Sequence, residues 1–190
     1  MSRIVFLLEE YSMKVLLDGL LPRLFPGLAF LCVPHEGKRD LEKSIPQKLR
    51  AWREPGVQFC VLRDNDGADC RETKRRLTAL CRKGGRQDTL VRLACQELEA
   101  WYFGAPGAIA EAFGIEGLRR ITERARYRDP DAIGKPSREL ARLVPAFQKV
   151  SGARRFARIL RRENASRSFQ VLLEGLDRLA PPMRRPEGGE

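Results

Sequence analysis

The chain has 190 residues, 43% of them hydrophobic and 32% charged, with 36 Lys and Arg against 25 Asp and Glu for a net charge of +11. That length suits one core-forming domain, that composition excludes a wholly disordered chain, and no apolar run reaches the roughly 18 residues of a membrane span. The opening residues 1–8 meet acids too soon for an export signal; the five cysteines, odd in number and without a CxxC pair, therefore read as reduced thiols of a cytoplasmic protein.

In chain order, Ile4–Leu8 (IVFLL) predicts a short buried strand, and the spacing of Val15, Leu16, Leu20, Leu21 and Leu24 a helix behind Ser12. A second strand is expected at Leu28–Val33. A polar helix with an apolar stripe at Leu41, Ile45 and Leu49 comes next over Lys38–Trp52, with Pro46 disturbing its middle. Val57–Leu62 reads as a third strand, Glu72–Cys81 as a helix, and Thr89–Cys95 as a fourth strand. This alternation predicts an α/β fold: a mainly parallel sheet flanked by helices, covered on both faces. Beyond Glu97 only helical patterns occur, at Glu97–Phe103, Pro106–Phe113, Gly117–Ala125, Ser137–Val144, Gly152–Leu160 and Ser168–Leu179. The expected organisation is an α/β domain over 1–103, a basic helical C-terminal extension packed on it over 104–180, and a disordered tail over 181–190.

Charge is divided unevenly. Residues 1–118 carry 18 basic and 16 acidic groups, whereas residues 119–190 carry 18 and 9. A basic second part suits a polyanionic partner such as nucleic acid; a solvated arginine-rich helical surface is the alternative. Arg154, Arg155, Arg158 and Arg162 are candidates for tracking a phosphate backbone, with 154, 158 and 162 on one helical face. Lys149, Ser166 and Ser168 fall nearby, and plain helix capping is preferred for the serines.

In parallel sheets ligands bind beyond the carboxyl ends of the strands. The first strand ends in Glu9-Glu10, the third in Asp64-Asn65-Asp66, and the fourth is followed by Glu97 and Glu99. Carboxylates gathered there repel one another unless a cation neutralises them, which points to Mg²⁺ or Mn²⁺ held by oxygen ligands. In an extended strand end, Asp64 and Asp66 point the same way and Asn65 away. Asp69 reads as a helix cap, and Glu10 as a solvated acid on the other face. Glu97 and Glu99 share a face if the strand continues; if the segment is helical, Glu97 faces with Trp101 instead. Glu97 is preferred as the site acid, with Glu99 beside it.

An acid after the first strand and a DxD after a later one resembles the Toprim domain. The stretches LLEEYSMK, VPHEGKRDL, RDNDGADC, CQELEAWYFG and the late SRSF, present in that order, resemble the bacterial Toprim-like group known as domain of unknown function 4276, related to OLD-type Toprim nucleases. The resemblance covers residues 3 to about 179. It implies a Toprim-like fold in which Glu9 matches the catalytic glutamate and Asp64 and Asp66 the metal-binding pair. Glu10 stands where Toprim domains usually have glycine: it adds a ligand there or marks a different loop, and the departure counts against topoisomerase or primase chemistry.

His35-Glu36-Gly37-Lys38 comes after the second strand and admits two readings. It is a turn opening a solvated helix, or, as the resemblance implies, a loop approaching the metal and phosphate, with Lys38 stabilising phosphoryl charge and His35 shuttling a proton. The resulting expectation is a Mg²⁺- or Mn²⁺-dependent phosphodiesterase acting on DNA or RNA, with Glu9, Lys38 and His35 catalytic and Glu9, Asp64, Asp66, Glu97 and Glu99 near the metal. The resemblance further implies a separate ATPase as companion and an anti-phage defence setting. A non-catalytic nucleic-acid-binding adaptor is the main alternative, and a small-molecule phosphotransferase a third; monomer and homodimer stay open.

Overall fold

A computed structural model describes residues 3–180; the expected tail over 181–190 lies outside the described residues. The four strands, β1 (Ile4–Leu8), β2 (Phe30–Pro34), β3 (Gln58–Asp64) and β4 (Leu90–Ala94), pair in parallel in the order β2-β1-β3-β4. The fold is α/β, a parallel sheet flanked by helices with a helical C-terminal part, as the alternation of patterns predicts.

All five residues of β1 are buried because the strand faces a core on each side. Ile4, Phe6 and Leu8 enter one core, Val5 and Leu7 the other. The second, smaller core is closed by α2 (Lys38–Ala51), through Leu41, Ile45 and Leu49, and by α3 (Cys70–Lys83), through Leu77 and Cys81. On the first face lie α1 (Tyr11–Leu24) and most of the C-terminal part: α4 (Ala100–Phe103), α5 (Pro106–Phe113), α6 (Pro136–Leu143), α7 (Lys149–Ile159) and α8 (Arg167–Leu179). Helix α7 packs on α1 and α8 on β4, so the extension shares one continuous core with the sheet. Among the described residues no helix is long and apolar enough to cross a membrane.

Three local expectations are corrected. Helix α2 runs unbroken through Pro46: the apolar stripe on either side is buried, and Gly84 at the end of α3 packs against Pro46, so tertiary burial outweighs the lost backbone bond. Residues 116–132 form three short 3₁₀ turns, Glu116–Glu123, Ala125–Tyr127 and Pro130–Ala132, instead of a helix over Gly117–Ala125. Finally, Glu97–Glu99 lie in neither strand nor helix; a left-handed Gln96 (φ 64°) turns the chain into α4, which starts only at Ala100.

The tightest approach in the C-terminal part is at Gly104, whose carbonyl accepts from Ala165 N at 2.8 Å. A Cβ there would collide with Asn164 Oδ1 and lie 2.7 Å from Ser166 N. Asn164 also donates to the Trp101 carbonyl at 2.8 Å. Gly104→Ala is therefore expected to destabilise by about 2–3 kcal/mol, read as a lowered urea midpoint at unchanged slope.

Candidate metal centre

Parallel pairing delivers the strand ends to one edge of the sheet, and backbone bonds carry the ladder into the loops. Glu9 N donates to Leu62 O at 3.2 Å, His35 N to Leu8 O at 3.0 Å, and Gly37 N to Glu9 O at 2.9 Å. Asp64 N donates to Glu9 Oε2 at 3.1 Å, which fixes the Glu9 side chain beside the end of β3. Beneath them Arg63, 2% exposed, places Nε 3.6 Å from Glu9 Oε2, donates to the Asp64 carbonyl at 2.7 Å, and pairs through Nη1 with Glu42 at 2.6 Å.

Asp64 is buried, with Oδ1 lacking any partner; burial, then the charges of Glu9, Glu99 and Glu10, hold its carboxyl well above the usual range. Glu99 is 1% exposed with Oε2 unpartnered. Burial pushes it to about 7, with Lys149 opposing and Glu10 and Glu97 adding. Glu9 is raised as well, by burial first, against the pull of Arg63. Lys149, opening α7, donates to both Glu10 oxygens at 3.1 and 3.3 Å. Burial works against its charge, but Glu99 and Glu10 outweigh this and raise its pKa. The Tyr102 hydroxyl is buried without a partner, its pKa raised by burial and then by Glu99.

The two aspartates do not share a direction. Asp64 closes β3, but the next two residues turn: Asp66 has φ 51°, and its carboxylate meets Lys38 Nζ at 3.2 Å and Arg63 Nη2 at 4.0 Å on the rim. Strand alternation stops at Asp64, which corrects the basis for pairing the two. Asn65 does point away, donating to Ala68 O at 2.9 Å and accepting from Gln96 N. Asp69 caps α3 through Glu72 N at 2.7 Å. Glu97 is turned to the start of α6, where it accepts from Ser137 N at 2.7 Å, while Glu99 faces the Asp64 and Glu10 charges. Glu10, read from the sequence as solvated, belongs to the cluster through Lys149. His35 is buried; its Nδ1 donates to the Leu8 carbonyl at 2.8 Å, leaving Nε2 an unpartnered acceptor. Lys38 is half-exposed and reaches the rim.

The arginine ridge is divided. Helix α7 ends at Ile159, so Arg162 does not continue its face: it forks onto Asp177 at 2.9 and 3.0 Å and lies over Phe25. Arg155 donates to Ala112 O at 2.7 Å and covers Phe113. Arg154 and Arg158 are exposed and meet no acid among the described residues. Ser166 caps α8 through Phe169 N at 3.2 Å, and Asp131 accepts from Ser168 N at 2.7 Å, so that helix start is satisfied internally.

Sequence reasoning did not single out Arg63 or place Lys149 at the carboxylates. The signal for Arg63 was an arginine inside an otherwise apolar strand. Lys149 lies 139 residues from Glu10 in the chain, and only the packing of α7 on α1 brings them together.

As the side chains stand, no three His, Cys, Asp or Glu among the described residues close around one point. The donor set nevertheless suits a hard divalent cation. It offers carboxylate oxygen only, two of its buried oxygens are unpartnered, and burial, then mutual repulsion, raises the proton affinity of Asp64.

Residues 8–177 match the family model described as Domain of unknown function (DUF4276), and the chain belongs to that family. No curated protein matches it. Among solved structures, the C-terminal region of the Burkholderia pseudomallei OLD protein is similar at 18% identity and a TM-score of 0.58, over 95% of this chain and 100% of that one. The C-terminal region of the Xanthomonas campestris pv. campestris OLD protein is similar at 15% identity and 0.55, over 95% and 97%. The fold of this chain is thus the fold of those regions.

Proposed function

We propose that this DUF4276 member is a divalent-metal-dependent phosphodiesterase acting on nucleic acid. The observation that carries this reading is that the charges of Glu9 and Glu99, from the segments after β1 and β4, act on Asp64 at the end of β3, with buried, unpartnered oxygens on Asp64 and Glu99. The resemblance to OLD-type Toprim nucleases supports it. Glu9, Asp64 and Glu99 would hold the ion, with Glu10 released from Lys149 as a further donor. When bound there, Mg²⁺ or Mn²⁺ would supply the positive charge that offsets these acids and the Lewis acidity for a phosphate ester. Glu9, its Oε2 fixed by the Asp64 N–H and its proton affinity raised by burial, is the group suited to take a proton from water. Lys38 on the rim and Lys149 at the cluster are placed to meet phosphate oxygens. His35 Nε2, kept an acceptor by the Nδ1 bond, can receive a proton. The same resemblance supports a separate ATPase as partner in anti-phage defence.

The test is cleavage of end-labelled DNA and RNA in Mn²⁺ by native protein and Glu9→Gln. Cleavage is expected from the native protein, abolished by a chelator and reduced at least about 10²-fold in the variant. Equal cleavage by both would overturn the assignment of the base. Binding to the phosphate backbone falls to Arg154 and Arg158, since Arg155 and Arg162 hold the fold. Substituting both free arginines by alanine is expected to lower the slope of log affinity against log salt by about 2 at unchanged stability, measured by fluorescence anisotropy.

A further inference from the structure

Five cysteines are present, and two of them differ from the rest. Cys32, Cys60 and Cys81 are buried, and burial raises their pKa, to about 12 for Cys60 and about 11 for Cys81. Enclosed in the core, these three are out of reach of aqueous oxidants. Cys70 and Cys95 are partly exposed, lie Sγ to Sγ at 3.9 Å, and both line an open cavity of about 240 Å³ with Arg71, Lys74 and Arg167 at its edge.

We propose that Cys70 and Cys95 are a modification site, a dithiol pair that hydroperoxides oxidise to a disulfide joining the start of α3 to the loop after β4. The backbone is already set for it. Asn65 N donates to Ala94 O at 3.2 Å, Asp66 N to Gln96 O at 3.0 Å, and Gln96 N to Asn65 Oδ1, so the two loops are held side by side. The two sulfurs, 3.9 Å apart, need to approach by only about 2 Å to reach disulfide length.

The two sulfurs have different roles. Cys70 is the first residue of α3, lines the open cavity, and its sulfur accepts from Asn65 Nδ2 at 3.0 Å. Cys95, likewise partly exposed, lies beside the Asp131 carboxylate; burial, then the Asp131 charge, push its thiol up to about 12, which makes it the second sulfur to react. The Cys70 sulfur attacks hydrogen peroxide: S–O forms, O–O breaks, and the leaving hydroxide takes the thiol proton to become water. The Cys95 sulfur then attacks the sulfenic sulfur: S–S forms, S–O breaks, and the hydroxyl leaves with the thiol proton as a second water. Two thiols lose two electrons and the peroxide gains them.

This site is independent of the metal centre in chemistry, but its bond would fix the spacing of the segments that carry Asp66 and Glu99. The experiment is to treat the reduced full chain with hydrogen peroxide, alkylate free thiols, and map peptides without reduction. The expected result is a single Cys70–Cys95 linked peptide, lighter by two hydrogens and cleaved by dithiothreitol. Cys95→Ser is expected to leave Cys70 as a sulfenic acid trapped by dimedone. Five alkylated cysteines after peroxide, a link through any other pair, or absence of dimedone on Cys70 in folded Cys95→Ser would each overturn the proposal.

Discussion

Arg63→Met is expected to cost about 3–5 kcal/mol of stability, the largest effect of any single polar substitution in this chain. Arg63 is a buried cation facing three acids: Glu9 at 3.6 Å, Glu42 at 2.6 Å and Asp66 at 4.0 Å. Glu42 retains Arg76 at 2.8 Å and Asp66 retains Lys38, but Glu9 loses the charge that most lowers its pKa. Methionine fills similar space without a charge, so the loss reports the uncompensated carboxylate, not a cavity. Denaturant unfolding at pH 7 checks the size. The deficit should shrink toward pH 5, as Glu9 accepts a proton; an equal deficit at both pH values would place the cause in packing.

The second large effect is a pH dependence set by the carboxylates. Glu99, Asp64 and Glu9 all have folded-state pKa values above their unfolded ones, so folding takes up protons. Their contribution is therefore most favourable below about pH 4.5 and is lost as pH rises through the folded value, about 7 for Glu99. For Glu99 alone that shift corresponds to at most ~3 kcal/mol. Lys149 titrates far above this window and does not alter its sign. Glu99→Gln removes the charge while keeping the shape, and is expected to gain on native protein as pH rises from 5 to 8. Mn²⁺ at pH 8 should reverse the order by stabilising native protein more. A native-minus-variant difference that is flat with pH would show that Glu99 carries no repulsion.

The fold was legible because its signals are local. IVFLL, FLCV and FCVL are continuous apolar runs, and the stripe Leu41, Ile45, Leu49 has helical period; each encodes its own element, although only the inner strands are buried throughout their apolar runs and the edge strand β2 leaves Leu31 exposed. The site was legible only as far as the strand ends. Glu9 and Asp64 come directly from strand geometry. Asp66 and Glu99 do not, because single left-handed residues, Asp66 itself and Gln96, redirect the chain, and neither is a glycine that would announce the turn. Lys149 and Glu10 meet through a helix–helix contact across most of the chain, which no local pattern encodes. The arginine ridge fell apart for the opposite reason: helical spacing holds only while the helix lasts, and α7 stops at Ile159 before Arg162 is reached.

The measurement that tests the central claim most directly is calorimetric titration of Mn²⁺ into native protein and Asp64→Asn at pH 7.5. Asparagine keeps the shape of Asp64 and relieves its repulsion, so the variant should be folded and no less stable than native protein without metal. The account predicts saturable Mn²⁺ binding to native protein, proton release from the buried carboxyls on binding, and loss of that binding in Asp64→Asn. Equal Mn²⁺ affinity in both proteins, or no binding by a native protein that still holds nucleic acid in a salt-sensitive way, would contradict it and leave a nucleic-acid-binding adaptor in its place.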